Sequence, residues 1–453
     1  MTQCAASTTR IRASSRDRGG SPPQRGAVFD RLKNVTAPQK FSAPVGSPIA
    51  ALRGAIVTPT EVIADGLLVT ADDRVTWVGE VSNAQDAGHG AALGDANQVP
   101  TGSYILPGLV DGHCHGGGGA SFPDATTAAE AAIAAREHLR HGTTSLIASL
   151  VTADRETLLE RVATLTELCA AGELAGIHLE GPFLSAARCG AQNPDHMQVP
   201  DADLVRAVGE KAQGFFATMT IAPELEGMLG ADGVIAALAD VGALPSIGHT
   251  DAHYEVVEEA IALSVKKLRG WDARASLPTA THLFNGMRPL HHRDPGPIAA
   301  CLAGAARGDI IVELIADGTH LHPATVRSVF ELVGPDAIML VTDAMAAAGM
   351  PDGEYDLGPV RVRVTEGVAR LVDGDSIAGG TAHLLDVVRS TVAAGISLVE
   401  AVRAGSATPA RALGLEETVG ALHAGLRADV LVTDGELNPL AVARAGQWVH
   451  ANN

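Results

Sequence analysis

The chain of 453 residues is longer than an ordinary single domain, and its length suits one large α/β barrel with a smaller second domain. It is rich in Ala, Gly and Val, and its net charge of -19 argues against a nucleic-acid partner, because phosphate backbones select basic surfaces. No run of about 18 uncharged apolar residues occurs, which excludes a membrane span on hydropathy grounds. Five scattered cysteines without a Cys-x-x-Cys pair favour a reducing cytoplasm over a disulfide framework.

Residues 1–46 form a basic leader. They hold eight Lys or Arg and two Asp, a local balance of +6 in an otherwise acidic chain. The Ser-rich and Arg-rich composition resembles a transit peptide, but the apolar stretch of a secretory signal is missing. We expect a disordered segment without a catalytic role, and an upstream start of translation is the other reading that the composition leaves open.

Short segments with alternating apolar residues predict the strands of a small β-domain. In its first part, which we place at residues 47–103, they lie at 53–57, 65–69 and 75–79. The same pattern returns near the C-terminus at 360–364, 369–372 and 428–432. We therefore expect both ends of the chain to build one small β-sandwich, with residues 351–453 also supplying helices that cap the barrel.

Residues 104–350 alternate short apolar runs with helical stretches, which predicts repeated βα units and a (β/α)8 TIM-like barrel. Two of the predicted helices span 126–141 and 155–171. The eight predicted strands lie near residues 105–115, 144–150, 174–180, 215–222, 243–249, 277–283, 310–316 and 337–343.

Polar side chains fall at the carboxyl ends of six of these strands. On predicted strands one, three, five, six, seven and eight they are His115, Glu180, His249, His282, His320 and Asp343. In a parallel barrel these strand ends converge on one mouth, where catalytic groups are found. Histidines placed only by core packing would not favour that position.

The stretch His113-Cys114-His115 ends the first predicted strand, and four glycines follow at positions 116–119. Alternate residues of a strand point the same way, so both imidazoles reach one cation. A single His-x-His is equally compatible with two unliganded imidazoles, and Glu180 taken alone is equally a helix-start carboxylate. Together, the imidazoles and carboxylates at the strand ends predict a centre for Zn, Fe, Co or Mn.

Six short motifs follow one another along the chain. They are His-x-His at 113–115, His-Leu-Glu-Gly-Pro at 178–182, Gly-His-Thr at 248–250, Thr-His-Leu-Phe-Asn at 281–285, Ala-Asp-Gly-x-His at 316–320 and Thr-Asp-Ala at 342–344. Their order resembles the amidohydrolase superfamily and, within it, the family of N-acetylglucosamine-6-phosphate deacetylases. The resemblance implies a cytoplasmic homodimer that converts N-acetylglucosamine 6-phosphate into glucosamine 6-phosphate and acetate, in amino-sugar catabolism and cell-wall recycling.

The resemblance further implies two divalent metal ions. One would be bound by His113, His115, Glu180 and Asp343, and the other by Glu180, His249 and His282. Asp343 would take a proton from the attacking water and pass it to the departing amine.

The resemblance also implies the substrate contacts. Asn285, the backbone of Gly286 and Arg293 would hold the 6-phosphate, His320 would contact the sugar or its phosphate, and the loop with Ile377 would close over the sugar. A guanidinium fork matches phosphate oxygens, and in the family the arginine can come from the neighbouring subunit. A solvated loop arginine is the alternative for Arg293.

The chain departs from the family at Gln192, where a histidine is usual. The amide of Gln192 donates a hydrogen bond but cannot become cationic, so we expect weaker stabilisation of the oxyanion and slow turnover. His196 is a candidate replacement. A second departure is the insertion at residues 268–276, between the strands that carry His249 and His282.

Two other functions remain open at the level of sequence. One is a different amide hydrolase of the same superfamily, which acts on an N-acyl amino acid or a cyclic amide. The other is a non-catalytic barrel scaffold, which is disfavoured because the implied metal ligands and Asp343 are all present.

Overall fold

The structure, a computed structural model, describes residues 41, 43–270, 274–374 and 376–451. Most of the predicted basic leader and residues 271–273 of the predicted insertion lie outside the described residues. None of the helices in the described ranges has both the length and the apolar character that a membrane span requires.

Eight parallel strands, counted within the described residues, follow one another in chain order around a nearly closed barrel. They are Leu109–Cys114, Thr143–Leu150, Gly176–Glu180, Phe216–Ile221, Leu244–Ile247, Thr279–Ala280, Ile311–Leu314 and Ile338–Leu340. Where the first and last strands meet, the Asp343 N–H donates to the His113 carbonyl at 2.9 Å, and the His115 N–H donates to the Ala344 carbonyl at 2.7 Å. The prediction of a (β/α)8 barrel is confirmed.

The predicted first strand, 105–115, is wrong as a single element. Tyr104–Pro107 pairs with strands of a second sheet, and Leu109–Cys114 belongs to the barrel. Gly108 lies between them, where an added Cβ would be 2.2 Å from Thr144 Oγ1. The chain passes from one sheet to the other at this residue. Only glycine leaves room for the close approach to Thr144 that this crossing requires.

In the described residues a helix lies between each two consecutive barrel strands, and further helices lie before the first strand and after the eighth. With their bounds they are Ala92–Asp95, Ala128–Arg140, Arg155–Ala170, Ala202–Ala212, Val234–Asp240, Tyr254–Leu268, Gly296–Arg307, Pro323–Val333, Leu384–Ala393, Leu398–Ala404 and Ala407–Ala412. The helix Ala128–Arg140 begins at a capping box formed by Thr127 and Glu130, and the side chain of Asp154 caps Arg155–Ala170. These caps explain why both predicted helices agree closely with the structure.

A second sheet contains strands from both ends of the described chain. Its order is Gln447–Ala451, Pro439–Arg444, Val430–Thr433, Tyr104–Pro107, Ala51–Val57, Val62–Ala71 and Arg74–Glu80, with Asn97–Gln98 beside Ala51–Val57. Ile56, Leu68, Ile105 and Val430 from these strands are fully buried in one common core. The two ends of the chain therefore share one small β-structure, as predicted.

The strands predicted at 360–364 and 369–372 do not join this sheet, which corrects the prediction. They belong to a separate antiparallel sheet of Gly353–Leu357, Val360–Thr365 and Val368–Leu371. Val362 and Val364 of that sheet are buried in a cluster with Met345, which follows the eighth barrel strand. The loops at the mouth of the barrel therefore cover the apolar face of the sheet. This face is buried without packing against the β-sandwich.

Candidate metal centre

A cavity of about 300 Å³ opens at the carboxyl ends of the barrel strands. Its lining includes the predicted metal ligands His115, Glu180, His249, His282 and Asp343. The predicted catalytic and substrate-binding residues Gln192, Asn285, Gly286, His320 and Ile377 line the same cavity. Most of the predicted site residues are therefore brought together at one mouth, although they are distributed over most of the barrel sequence.

His113, His115 and Asp343 form the first group of donor atoms. The two Nε2 atoms lie 3.0 Å apart, and Asp343 Oδ1 lies 3.5 Å from His113 Nε2 and 3.3 Å from His115 Nε2. Both imidazoles are buried. One cation between these three atoms would be in reach of all of them.

Glu180, His249 and His282 form the second group. Glu180 Oε1 lies 2.7 Å from His249 Nε2 and 2.9 Å from His282 Nε2. The other oxygen, Oε2, lies 3.0 Å from His115 Nε2. The carboxylate of Glu180 thus faces both groups at once, one oxygen toward each.

The hydrogen bonds of the imidazoles decide which nitrogen is available to a metal. The Nδ1–H of His113 donates to Glu313 at 3.1 Å, that of His115 to the Ser149 carbonyl at 3.2 Å, and that of His249 to the Arg188 carbonyl at 2.8 Å. Each Nε2 then carries a lone pair directed at the other donor atoms. Lone pairs converging at such short distances repel one another unless a cation or a proton lies between them, so the donor set fits divalent metal.

The carboxylates of the centre produce a negative electrostatic field, and the pKa values of Asp343 and His113 reflect the attraction between these carboxylates and the imidazoles. Burial alone raises the pKa of Asp343, but the nearby His113 and His115 outweigh it and lower the pKa to about 2. Burial lowers the pKa of His113, yet Asp343 and Glu180 raise it well above 6.5 overall. A field that holds an extra proton on an imidazole also attracts a divalent cation, which displaces that proton.

Three of the donor residues have strained backbones. His249, His282 and Asp343 have φ angles of 44°, 27° and 47°, in the left-handed region that residues other than glycine seldom adopt. His282 follows a sixth strand, Thr279–Ala280, that is shorter than the predicted 277–283. The turn after each strand therefore directs the side chain into the cavity at a conformational cost.

The predicted substrate contacts divide into two sets. Asn285, Gly286, His320 and Ile377 line the cavity, and the Nδ1–H of His320 donates to Asp317 at 2.9 Å. Arg293 is exposed and does not line the cavity. Its Nη1 lies 2.8 Å from the Nε2 of the neighbouring His292. A single chain therefore does not bring Arg293 to the site.

Gln192 lines the cavity but is already bonded at both ends of its amide. Its Nε2 donates to Glu180 Oε2 at 2.7 Å, and its Oε1 accepts from the Thr152 N–H at 2.8 Å. Gln192 therefore orients the carboxylate that faces both donor groups. His196, the candidate replacement, is not among the residues that line this cavity.

Glu313 is a site residue that sequence reasoning missed. Its buried carboxylate accepts from His113 Nδ1 at 3.1 Å and from the His282 N–H at 3.1 Å, so it orients one ligand from each donor group. The available signal was a single carboxylate inside the apolar strand Ile311–Leu314, where an unpaired charge is unfavourable. A buried carboxylate in such a strand indicates that a hydrogen-bond donor or a cation lies next to it.

The comparisons with known proteins agree with this geometry. Residues 104–450 match the model of the amidohydrolase family. An N-acetylglucosamine-6-phosphate deacetylase of Lysinibacillus sphaericus is 34% identical over 384 residues, which cover 83% of this chain and 94% of that protein. An N-acetylgalactosamine-6-phosphate deacetylase of Escherichia coli O157:H7 is 32% identical over 351 residues, which cover 76% and 87%.

A solved structure shares the fold over its whole length. It is a mutant N-acetyl-D-glucosamine-6-phosphate deacetylase from Mycobacterium smegmatis in complex with N-acetyl-D-glucosamine-6-phosphate, and it is 41% identical to this chain. The TM-score is 0.80, and the match covers 89% of this chain and 100% of that one.

Proposed function

The chain belongs to the amidohydrolase family, and we propose that it hydrolyses the acetamide of N-acetylglucosamine 6-phosphate to acetate and glucosamine 6-phosphate. The observation that carries the proposal is the cavity in which Asp343 and the other donor atoms lie beside Asn285 and His320. Its volume of about 300 Å³ is at the small end of the range for ligand sites and suits one sugar phosphate.

The enzyme is a metal-dependent hydrolase, and we propose two divalent ions per chain, one for each donor group. Mixed imidazole and carboxylate donors accept Zn, Fe, Co or Mn. When bound, such ions act as Lewis acids that acidify water and polarise a carbonyl oxygen. His113, His115 and Asp343 would hold one ion, His249 and His282 the other, and Glu180 has an oxygen for each.

The residues of the chain supply the proton transfers. In the proposed reaction Asp343 accepts a proton from the attacking water while the oxygen of that water forms a bond to the acetyl carbon. The same carboxyl then gives this proton to the sugar nitrogen as the C–N bond breaks, so that a neutral amine leaves. The Asp343 carboxylate is ionised at the start of the cycle, because His113 and His115 lower its pKa.

The phosphate would be held by Asn285 and Gly286 from the lining, and His320 would contact the sugar or its phosphate. Because Arg293 is exposed in one chain, we propose that it reaches the phosphate in the site of a second copy, within a homodimer. The acidic chain with scattered free cysteines and a phosphorylated sugar as substrate favours a cytoplasmic location.

A second candidate substrate is the galactosamine epimer, N-acetylgalactosamine 6-phosphate. It is favoured by the similarity to the deacetylase of Escherichia coli O157:H7 that is named for this sugar. The two sugars carry the same acetamide and the same phosphate, so the metal centre and the phosphate contacts serve both.

The experiment is an assay of acetate release by metal-loaded protein from three sugars: N-acetylglucosamine 6-phosphate, its galactosamine epimer and unphosphorylated N-acetylglucosamine. The proposal expects the highest kcat/KM for the first and a loss of at least about 100-fold without the phosphate, as expected for lost charge-assisted contacts. Equal rates with and without the phosphate would favour a different amide hydrolase of the family.

A further inference from the structure

The three-stranded sheet at the mouth of the barrel contributes a side chain to the wall of the cavity. Leu357, the last residue of the strand Gly353–Leu357, lines the cavity and is 4% exposed. Among the described residues of the lining, the other apolar side chains are those of Ala191 and Ile377. A cavity with mostly polar walls therefore has a small apolar part.

Ala191 and Leu357, which we call the apolar wall, lie on one side of the cavity, because both pack in a cluster with Val151 and Met345. Val151 follows the second barrel strand and Met345 follows the eighth, and the first strand lies between these two. Asn285, expected at the phosphate, follows the sixth strand. In an eight-stranded barrel the sixth strand is opposite the second. The apolar wall is therefore across the cavity from the expected phosphate contacts.

The apolar wall is also next to the metal centre. Gln192, which directly follows Ala191, donates from Nε2 to Glu180 Oε2 at 2.7 Å. Met345, which packs in the same cluster as the wall, comes two residues after Asp343. A group bonded to the reacting carbonyl carbon therefore has apolar side chains within reach.

The chemistry of the proposed substrate matches this arrangement. In a hexosamine ring C2, which carries the acetamide, is opposite C5, which carries the phosphorylated CH₂ group. A sugar whose phosphate contacts Asn285 and Gly286 therefore directs its acetamide across the cavity. The acetyl methyl is the most apolar group of this molecule, so it gains most from contact with Ala191 and Leu357.

The position of Leu357 is fixed by its hairpin. Leu357 pairs with Val360, and the N–H of Gly358 between them donates to Asp124 Oδ2 at 3.1 Å. Gly358 packs so closely on the barrel that an added Cβ would be 2.7 Å from Val151 Cγ2. The hairpin therefore cannot move toward the barrel to make room for a larger ligand.

We propose that Ala191 and Leu357 form an acyl pocket, which receives the acetyl methyl and discriminates against longer acyl chains. The inference rests on the proposed function, because that function places the acetamide at the metal centre. An acetyl group ends at the wall, whereas each further methylene of a propionyl or butyryl group has to displace Leu357. The sheet at the mouth of the barrel would thus help to select the substrate.

The test measures kcat/KM for the N-acetyl, N-propionyl and N-butyryl forms of glucosamine 6-phosphate by release of free amine. It uses full-length, metal-loaded wild type, Leu357→Ala and Ala191→Val. The readout is the butyryl-to-acetyl ratio of kcat/KM, which within one preparation depends neither on metal loading nor on the folded fraction. Ile377→Ala is the matched control, because Ile377 is an apolar residue of the same cavity that is expected over the sugar.

We expect this ratio to rise by at least about tenfold in Leu357→Ala and to fall in Ala191→Val, since one methylene in an apolar pocket changes kcat/KM by about 10-fold to 200-fold. The ratio in Ile377→Ala should equal that of wild type. If Leu357→Ala does not fold, the direction of the change in Ala191→Val decides.

An unchanged ratio in Leu357→Ala or Ala191→Val, in protein that cleaves the acetyl substrate, would overturn the acyl pocket and leave the proposed function intact. An equal rise in Ile377→Ala would also overturn it. Wild type that releases no amine from any of the three substrates would overturn the proposed function and the acyl pocket together.

Discussion

His113 and Asp343 are joined twice. The Asp343 N–H donates to the His113 carbonyl at 2.9 Å, and the side chains of the same two residues approach to 3.5 Å between Oδ1 and Nε2. The main-chain bond links the ends of the first and eighth barrel strands, and the side chains belong to the first donor group. The same two residues therefore take part both in closing the barrel and in the first donor group.

Asp343→Asn should remove the proton acceptor without opening the barrel, because the substitution keeps the main-chain N–H that bonds to His113. We expect kcat to fall by about 100-fold to 10,000-fold, the usual contribution of a general acid or base. Asp343 is also a proposed metal ligand, so kcat is compared at metal concentrations that saturate both proteins. Asp356→Asn, at an exposed position, is the control, and a residual kcat within tenfold of wild type would contradict the assigned role.

Glu313→Gln should weaken metal binding rather than chemistry. Both bonds end on one carboxylate oxygen, and the amide oxygen that replaces it carries no negative charge, so it is a weaker acceptor for His113 and the His282 N–H. Outer partners of this kind contribute about 10-fold to 100-fold in metal affinity. Competition with a chelator measures the loss, with Glu331→Gln on an exposed helix face as the control. If saturating metal fails to restore most of the activity, the carboxylate has another role.

Gln192 should affect catalysis by orienting the carboxylate of Glu180. Gln192→Leu removes both amide bonds, so the Glu180 carboxylate loses its donor and the Thr152 N–H loses its acceptor. We expect kcat to fall by at least about tenfold, in line with the cost of a lost buried hydrogen bond. Gln192→His, which restores the residue usual in the family, should keep or raise kcat. The idea fails if the leucine and histidine variants have equal rates.

Asp251 should hold two loops of the site together. Its carboxylate accepts from Arg188 Nε at 2.7 Å and from Arg288 Nη2 at 2.8 Å, and the Arg188 carbonyl orients His249. Asp251→Asn should lower the free energy of unfolding by about 1–2 kcal/mol, as for partly buried charged hydrogen bonds. It should also raise KM, because the loop that carries Asn285 becomes less fixed.

The contribution of Asp251 should depend on pH in one direction. The hydrogen bond from Arg288, together with Arg188, lowers the pKa of Asp251 from 3.8 to about 2. The folded protein therefore binds this proton less tightly than the unfolded chain, and the stabilisation is present above 3.8 and lost as pH falls toward 2. The difference in melting temperature between wild type and Asp251→Asn should shrink over that interval. A difference that grows with acid would contradict it.

Arg293→Ala should raise KM for N-acetylglucosamine 6-phosphate by about 10-fold to 100-fold and leave the rate with the unphosphorylated sugar unchanged. The reason is that only the phosphate oxygens match the guanidinium. Arg206→Ala, on the exposed face of a helix, is the control. If Arg293 acts from a second copy, mixing Arg293→Ala with Asp343→Asn should restore activity in mixed dimers, and no restoration would place the arginine in its own site.

The grouping of residues at the strand ends was predictable, because the carboxyl ends of all strands in a parallel barrel meet at one mouth. His115, Glu180, His249 and His282 follow apolar runs whose carboxyl ends must meet, so the sequence predicts their proximity without any distance. The strand Ile311–Leu314 shows the limit of the rule. Glu313 precedes the end of its strand, and only the packed structure reveals that its carboxylate faces two ligands rather than a helix.

The partners of individual strands and the exposure of Arg293 could not be predicted. They depend on contacts between distant segments, which the alternation of apolar and polar residues does not determine. The strands Val360–Thr365 and Val430–Thr433 have similar patterns, yet one covers the barrel mouth and the other lies in the small β-structure. Their partners are chosen by long-range packing, with Met345 in the first case and Ile105 in the second. Arg293 matches a phosphate contact in sequence, but its exposure in one chain depends on the fold of its loop.

In the proposed reaction the residues at the barrel mouth hold divalent metal, and the protein uses it to cleave an acetamide. The most direct measurement follows acetate and free amine together, from N-acetylglucosamine 6-phosphate, for protein stripped with a chelator and then reloaded with zinc, cobalt or manganese. We predict equal amounts of both products, activity absent after stripping and restored by reloading, and no restoration in a His113→Ala, His249→Ala double variant. Undiminished acetate release by the stripped protein or by that variant would show that the chain cleaves the acetamide without metal.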